Sequence, residues 1–534
     1  MRSRDRPLLS VIVPLHDTAE YVEECIDSLV AQEVDDLEVV LVDDASTDDS
    51  LEVAVRAARD RLRGAAFRTH HRGVGGARNA GVRVATGTYL AFLDSDDVAL
   101  PSGYAELVAA LEESGSSFGT ATTLRGPTLA EAEVPHWIAA VHRHRRLGVQ
   151  PRSYPEITRD ILTANKVYRR SFWESSRAMF PERLRYEDQV AITKAYLDAA
   201  TVDVLPHPVY FWREREDGSS ITQSRAQLDN LQDRVVTKIL ASRTIETSAS
   251  DRIVQVWRRY GLLGDLPEYL RQLPECDDTF WNLLRNWLRE LTDDDVIARS
   301  NLHVAQRMTA SLVLAGDREA ATALLTRIRS GELELPLELD GGDVLARVPD
   351  GVAAREQPPR RVRRLQQRDV GWRFEVECLD VVDGTVTVAG TPSVGGFGTV
   401  PPLTPTCVLV GATAGREVDL PVRSLGGQRV AIDLDPAALP EGETSWRLRF
   451  GARLGHLALQ RVPGAWQRVA GSVACLEVGG ATIEVDAEGR RGLFLDLGPE
   501  LATTPATNAE KPSTPRPHRA RGGAQTRGFG LRRR

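Results

Sequence analysis

The sequence predicts an α/β domain on a mainly parallel sheet, then a helical segment, an immunoglobulin-like antiparallel sandwich and a disordered tail. Three observations predict this order. Short apolar runs rich in β-branched residues alternate with helically spaced ones through residues 1–115, the pattern of βαβ units. From Trp372 the apolar period switches to that of short alternating strands. After Leu501 large apolar residues almost vanish. At 534 residues the chain exceeds one ordinary core of about 100–200 residues. The expected segments are 1–225, 226–340, 368–498 and 501–534.

Each element has its own signal. Leu9 to Val13 is a buried strand, and Thr18 to Gln32 carries Val22, Cys25, Ile26, Leu29 and Val30 at helical spacing. Glu38 to Val42 is a second strand closed by Asp43 and Asp44, with Ser46 or Thr47 able to cap the helix through Leu51 and Ala58. Phe67 to His70 reads as a weaker strand and Ala77 to Ala85 as a short helix. Tyr89 to Leu93 is a strand ending in Asp94-Ser95-Asp96-Asp97, and Pro101 is expected at a helix start. A loop is expected around 136–150 and a helix after Tyr186. Residues 226–335 show helical spacing with few strands. Strands follow at Phe374–Val376, Val386–Val388, Val408–Val410, Val430–Leu434 and Trp446–Phe450, with turns at Asp383-Gly384, Gly395-Gly396 and Gly426-Gly427. Trp372, Trp446 and Trp466 are expected to pack the sandwich core.

Composition excludes several classes. With 42% hydrophobic and 27% charged residues the chain is a globular type, not a collagen or a coiled coil. No run of about 18 apolar residues exists to span a membrane, and the amino terminus lacks the pattern of a signal peptide. Five scattered cysteines without C-x-x-C spacing argue against a disulfide framework or a structural zinc site, so a reduced, cytoplasmic setting is expected. The net charge of −8 hides an asymmetry. Residues 501–534 hold eight Lys or Arg against Glu510 alone, so the tail is +7 and the preceding 500 residues are −15. The tail reads as a solvated end, or as an adhesion segment for an anionic membrane surface. Nucleic acid is not expected, since aromatic interleaving stops at Phe529.

In parallel sheets, ligands bind beyond the carboxyl ends of the strands, and the unusual polar clusters sit there. Asp94, Asp96 and Asp97 follow a strand, where several carboxylates call for a neutralising cation such as Mg²⁺ or Mn²⁺. A solvated turn with a helix cap is the plain alternative. Asp43-Asp44 admits the same two readings. His71 to Gly81 is a Gly-rich strand-to-helix turn with Arg78, but it lacks G-x-G-x-x-G spacing and follows the third strand, which disfavours a dinucleotide fold. A helix start with free N–H groups still suits a nucleotide's anionic part. Glu187-Asp188 opens a helix, where carboxylates either complement the helix dipole or serve as a general base.

Six segments occur in one order: V-I-V-P-L-H-D at 11–17, V-D-D-A-S-T-D at 42–48, G-x-x-x-A-R-N-A-G at 73–81, Y-L-A-F-L-D-S-D-D at 89–97, N-K-V-Y-R-R at 165–170 and Y-E-D-Q at 186–189. Together, over residues 8–223, they resemble glycosyltransferase family 2. The resemblance implies a GT-A (Rossmann-like) fold and an inverting transfer from a nucleotide-sugar donor, UDP-linked in particular. The helical segment and sandwich look similar to those of wall teichoic acid glycosyltransferases that decorate poly(ribitol phosphate). This implies a cell-envelope polymer or lipid-linked acceptor and a self-associating sandwich. By resemblance, Pro14, His16 and Asp44 contact the uracil or its ribose, with His71 and Arg78 beside the nucleotide. Asp94 faces the ribose and diphosphate, and Asp96 with Asp94 holds Mn²⁺ or Mg²⁺, Asp97 lying nearby. Asp188 is the base, supported by Glu187. Asn165 and Lys166 line the cleft, and Arg213, Arg215, Ser219 and Ser220 belong to a segment over the diphosphate. His16 and His71 depart from the Tyr and Asn usual there. The competing readings are a catalytically retired scaffold and a nucleotidyltransferase. The latter lacks the Gly-rich loop expected after its first strand, where Pro14-Leu15-His16-Asp17 stands.

Overall fold

The computed structural model describes residues 6–215, 227–331, 334–382, 385–398, 400–411, 416–435, 439–440 and 445–460, and strands at 475–478, 481–485 and 493–497. Ser219, Ser220, Trp466, the Asp383-Gly384 turn and the 501–534 tail lie outside the described residues. The chain divides into two compact units: 1–371 with 394–402 and 453–459, and the remainder from 372.

The first unit begins with β1 (Leu9–Leu15), α1 (Val22–Val30), β2 (Leu37–Asp43), α2 (Ser50–Ala58), β3 (Arg63–Arg68), α3 (Gly73–Val84), β4 (Tyr89–Phe92), β5 (Val98–Ala99) and α4 (Gly103–Ser114). It continues with β6 (Phe118–Gly126), α5 (His136–Ala139), β7 (Arg146–Val149), β8 (Lys166–Arg169), α6 (Arg170–Ser176), α7 (Asp188–Asp198) and β9 (Val202–Arg213). The sheet order is β3-β2-β1-β4-β8-β6-β9-β5, with β7 added on β9. β1 pairs in parallel with β2 and β4, and β8 then runs antiparallel between β4 and β6. Every residue of β1 is buried, as a strand covered on both faces must be. Leu9, Val11, Val13 and Leu15 pack in one core layer with Cys25, Ile26 and Leu29 of α1. Ile12 points to the opposite layer, with Val40, Phe92 and Ala77 of α3. Gly81 lets α3 seat on β1, since a Cβ there would lie 2.3 Å from Ile12 Cγ2.

Several expected boundaries move for identifiable reasons. β3 starts four residues before Phe67 because it is a largely exposed edge strand with a weak apolar signal. α3 starts at Gly73 rather than Ala77, because the Asp44 carboxylate accepts the backbone N–H groups of Arg72 and Gly73 at 2.7 and 2.8 Å. Pro101 does not open α4. Ser102 takes a left-handed φ of 59°, so the helix begins at Gly103. The expected loop at 136–150 contains α5 and β7.

The helical segment belongs to the first unit. It comprises α8 (Leu228–Ser248), α9 (Asp251–Val256), α10 (Leu266–Leu270), α11 (Asp278–Leu291), α12 (Asp294–Arg299), α13 (Val304–Ala315) and α14 (Arg318–Arg329). α8 packs along α7. α9 runs into a π-helical turn over Trp257–Gly261, closed by the Leu262 N–H on the Trp257 carbonyl at 2.8 Å. The second unit holds two β-sheets, antiparallel wherever register is described, one of four strands and one of seven. Trp446 is fully buried within it, as expected, and Gly396, Gly426 and Gly427 take the positive φ that their turns require. Among the described residues no helix is long and apolar enough to cross a membrane.

Candidate active site at the carboxyl ends of β1, β2 and β4

A cleft of about 1280 Å³ opens beyond these strand ends. Pro14, His16, Asp44, His71, Arg78, Asp94, Asp96, Glu187, Asp188 and Arg215 all line it. The two departures from the family pattern meet here. The His16 and His71 rings lie 5.0 Å apart, and the Asp44 carbonyl accepts from His16 Nδ1 at 3.0 Å. The Asp44 carboxylate is buried and also accepts from the Thr69 hydroxyl at 3.0 Å, so it holds the Gly-rich turn in place.

Arg78 is the hub. Its guanidinium is buried, donates to Glu187 Oε1 through one nitrogen and to Asp94 Oδ1 through another, and stacks over Phe180. Burial opposes its charge, but Asp94, Glu187 and Asp188 together hold it firmly protonated. Gly75 makes this approach possible: a Cβ there would lie 2.3 Å from the Pro181 carbonyl and 3.0 Å from Glu187 Cγ. Burial raises the Glu187 carboxyl to about 7, against the pull of Arg78.

Asp188 is raised chiefly by burial, while Arg78 and Arg234 draw it back toward ionisation. Neither arginine forms an ion pair with it: Arg78 pairs with Asp94 and Glu187, and Arg234 with Asp265 at 3.2 Å. Asp188 thus keeps a carboxylate on the cleft wall under positive potential. The preceding Tyr186 is left-handed at φ 63°, a conformation costing about 1–3 kcal/mol unless its surroundings impose it. The helical segment imposes it. Tyr186 donates its hydroxyl to Asn230 Oδ1 at 2.8 Å, and the Arg234 guanidinium lies 3.6 Å over its ring. Arg185 reaches Asp229 at 2.8 Å and Asp233 at 3.3 Å. Lys238, one turn beyond Arg234, pairs with Asp265 at 3.1 Å and is lowered to about 8 by burial.

The aspartates after β4 divide their work. Asp96 takes Arg215 at 2.8 Å, and its carboxyl is raised by burial and then by Asp94. Asp97 turns inward, accepting from the Tyr210 hydroxyl and from the Arg213 N–H at 2.7 Å, so it fastens β9 to the strand end. Arg213 donates to the Asp96 carbonyl at 2.9 Å. Lys166 is a correction. It is fully buried behind the cleft wall, where Asp160, the Leu162 carbonyl and Asn165 Oδ1 take its three protons at 2.6–2.9 Å. Asn165 is likewise turned to Asp160 and the Ala121 carbonyl. Both hold the segment 158–164 that does line the cleft. Sequence reasoning missed the far wall, formed by Arg159, Arg234, Lys238, Trp257, Arg259, Tyr260 and Asp265. Its signal would have been the polar face of a helix remote from every motif.

The profile of Glycosyl transferase family 2 matches residues 10–175. EpsJ of Bacillus subtilis (strain 168), an uncharacterized glycosyltransferase, is 30% identical over 248 residues, 44% of this chain and 69% of EpsJ. The chain belongs to glycosyltransferase family 2. TarS of Staphylococcus aureus, a poly(ribitol-phosphate) beta-N-acetylglucosaminyltransferase, is 27% identical over 258 residues. That match spans 46% of this glycosyltransferase and 42% of TarS. The crystal structure of TarS superposes with a TM-score of 0.59 at 17% identity, covering 92% of this chain and 85% of TarS. A shorter TarS in complex with UDP-GlcNAc gives 0.51 at 22% identity over 66% of this chain and the whole of that one. These likenesses establish a shared fold.

The stack of Arg234 on Tyr186 generates a titration experiment. Arg234→Met removes a charge that favours ionised Asp188, so the Asp188 carboxyl, followed by ¹³C NMR, titrates at higher pH than in the wild type. Arg234→Lys keeps the charge and moves it less. An unchanged titration in Arg234→Met contradicts the electrostatic link.

Proposed function

We propose that this glycosyltransferase moves a sugar, with inversion and metal dependence, from a UDP-sugar to a hydroxyl of a cell-envelope polymer or lipid-linked acceptor, with Asp188 as general base. The observation that carries the reading is the pair of carboxylate sets joined through Arg78: Asp94 on the strand end and Glu187-Asp188 at the helix start. One set suits the donor's diphosphate, the other the acceptor's hydroxyl. The UDP-GlcNAc bound by the TarS neighbour and the polymer in that relative's name support the donor and acceptor classes.

In this reading His16 and His71 form an aromatic edge for the base, and the Asp44 carboxylate keeps that edge in shape. Arg78 fixes Asp94 and Glu187, so that neither drifts when the donor enters. Asp188 takes the proton from the acceptor hydroxyl as that oxygen attacks the anomeric carbon. Holding both reactants in one cleft supplies the entropic share of the rate.

A divalent cation fits the donor set. Asp94 and Asp96 stand together on the cleft wall, and Arg215 already sits on Asp96 as a compensating cation. Asp96 and Asp94 would hold Mn²⁺ or Mg²⁺, which supplies charge against the departing diphosphate. The segment that follows Arg215, including Ser219, would complete the diphosphate contacts. The reading further has the sandwich at 368–498 mediating self-association, and the +7 tail resting on an anionic membrane from the cytoplasmic side, a role its charge supports.

Two results are expected. Asp188→Asn binds UDP-sugar as the wild type does in calorimetry, yet loses about 100-fold or more in turnover; near wild-type turnover contradicts the base assignment. EDTA abolishes transfer and Mn²⁺ or Mg²⁺ restores it, whereas full activity in chelator removes the metal from the account.

A further inference from the structure

The cleft exceeds the roughly 300–1,000 Å³ of a single-ligand pocket, and its far wall carries an uncompensated basic cluster. Arg159 and Arg259 line that wall, with their guanidinium carbons 4.1 and 5.2 Å from the Tyr260 ring centroid. Among the described residues neither guanidinium forms an ion pair or a hydrogen bond. Arg78, Arg185, Arg213, Arg215 and Arg234 of the same cleft are all paired with carboxylates. Arg159 is half-buried, so its unmatched charge is held at a solvation cost, and Arg259 adds like-charge repulsion.

The backbone beneath is also unusual. Arg259 and Tyr260 sit on the π-helical turn, a form that recurs at functional sites. That turn is locked from below by Lys238, whose ammonium donates to the Gly261 carbonyl and lies 5.1 Å from the Trp257 ring. Gly261 itself is needed, because a Cβ would meet the Trp257 ring at 2.3 Å. A rigid turn therefore presents two free guanidinium forks around one aromatic face. Such forks match oxyanions in geometry as well as charge.

We propose that Arg159, Arg259 and Tyr260 form an acceptor subsite for an anionic group, so that the acceptor is a polyanion whose charged unit docks here while its hydroxyl meets Asp188. The inference rests on the transferase reading above and specifies its acceptor class. The shared chemistry is an oxyanion, carried either by a phosphodiester polymer or by a carboxylated glycan.

The test is fluorescence anisotropy of two labelled probes, a ribitol-phosphate oligomer and a hyaluronan oligosaccharide, on the full chain at low and moderate salt. UDP affinity serves as the control. The wild type is expected to bind one probe in a salt-sensitive way, and which one it binds tells the two sources apart. Arg159→Gln/Arg259→Gln weakens that binding about tenfold or more while UDP affinity holds. The single exposed change Arg259→Glu guards against misfolding and weakens binding in the same direction. Unchanged probe binding in both variants overturns the subsite, as does a wild type that binds neither probe. Equal loss of UDP affinity overturns it too, by giving the arginines to the donor. The transferase reading fails separately, if the wild type neither binds UDP nor hydrolyses a UDP-sugar.

Discussion

The site depends on one buried guanidinium held between two carboxylates. Arg78 comes from α3, Asp94 from the end of β4, and Glu187 from a segment 109 positions along the chain from Arg78. A buried Arg is tolerable only when its charge is matched and its donors are used. Removing one partner of such a pair typically costs about 3–5 kcal/mol, because the charge left behind stays buried. The glycines of α3 are a consequence of this constraint. Gly75 admits the segment that carries Glu187, and Gly81 lets the helix sit close enough to β1 to aim Arg78 across the strand ends.

A second tie comes from outside the α/β sheet. The left-handed Tyr186 is held by Asn230 and Arg234 of α8, so the conformation of the segment bearing Asp188 is set by the helical segment. Arg234 does two things at once: it packs on the ring and biases the neighbouring carboxyl electrostatically. The helical segment is thereby a wall of the cleft. That explains why the cleft is larger than a donor alone requires, and why its basic cluster stands opposite the strand-end carboxylates.

The parallel half of the sheet was legible because β1, β2 and β4 are buried on both faces and read as unbroken apolar runs. Their polar ends were equally legible, since Asp44, Arg78, Asp94, Asp96 and Asp188 all reach the cleft. Edge strand β3 was blurred because its side chains are mostly exposed. Lys166 misled for a different reason: a cation in a motif says nothing about its direction, and Asp160, five positions before Asn165, draws it inward. Asp97 shows the same limit, a carboxylate beside two cleft carboxylates that turns to Tyr210. The α8 contributions were illegible because Arg234 and Tyr186 are brought together only by α7 packing along α8, which no local spacing encodes.

The central claim is that Arg78 binds the donor-side and acceptor-side carboxylates into one electrostatic unit. A double-mutant cycle on unfolding free energy with Arg78→Met and Glu187→Gln tests it most directly, because contacting residues couple by about 0.5–3 kcal/mol whereas independent ones add. The account predicts that Arg78→Met is less destabilising in the Glu187→Gln background by about 1 kcal/mol or more. Additivity of the two substitutions within about 0.5 kcal/mol would contradict it.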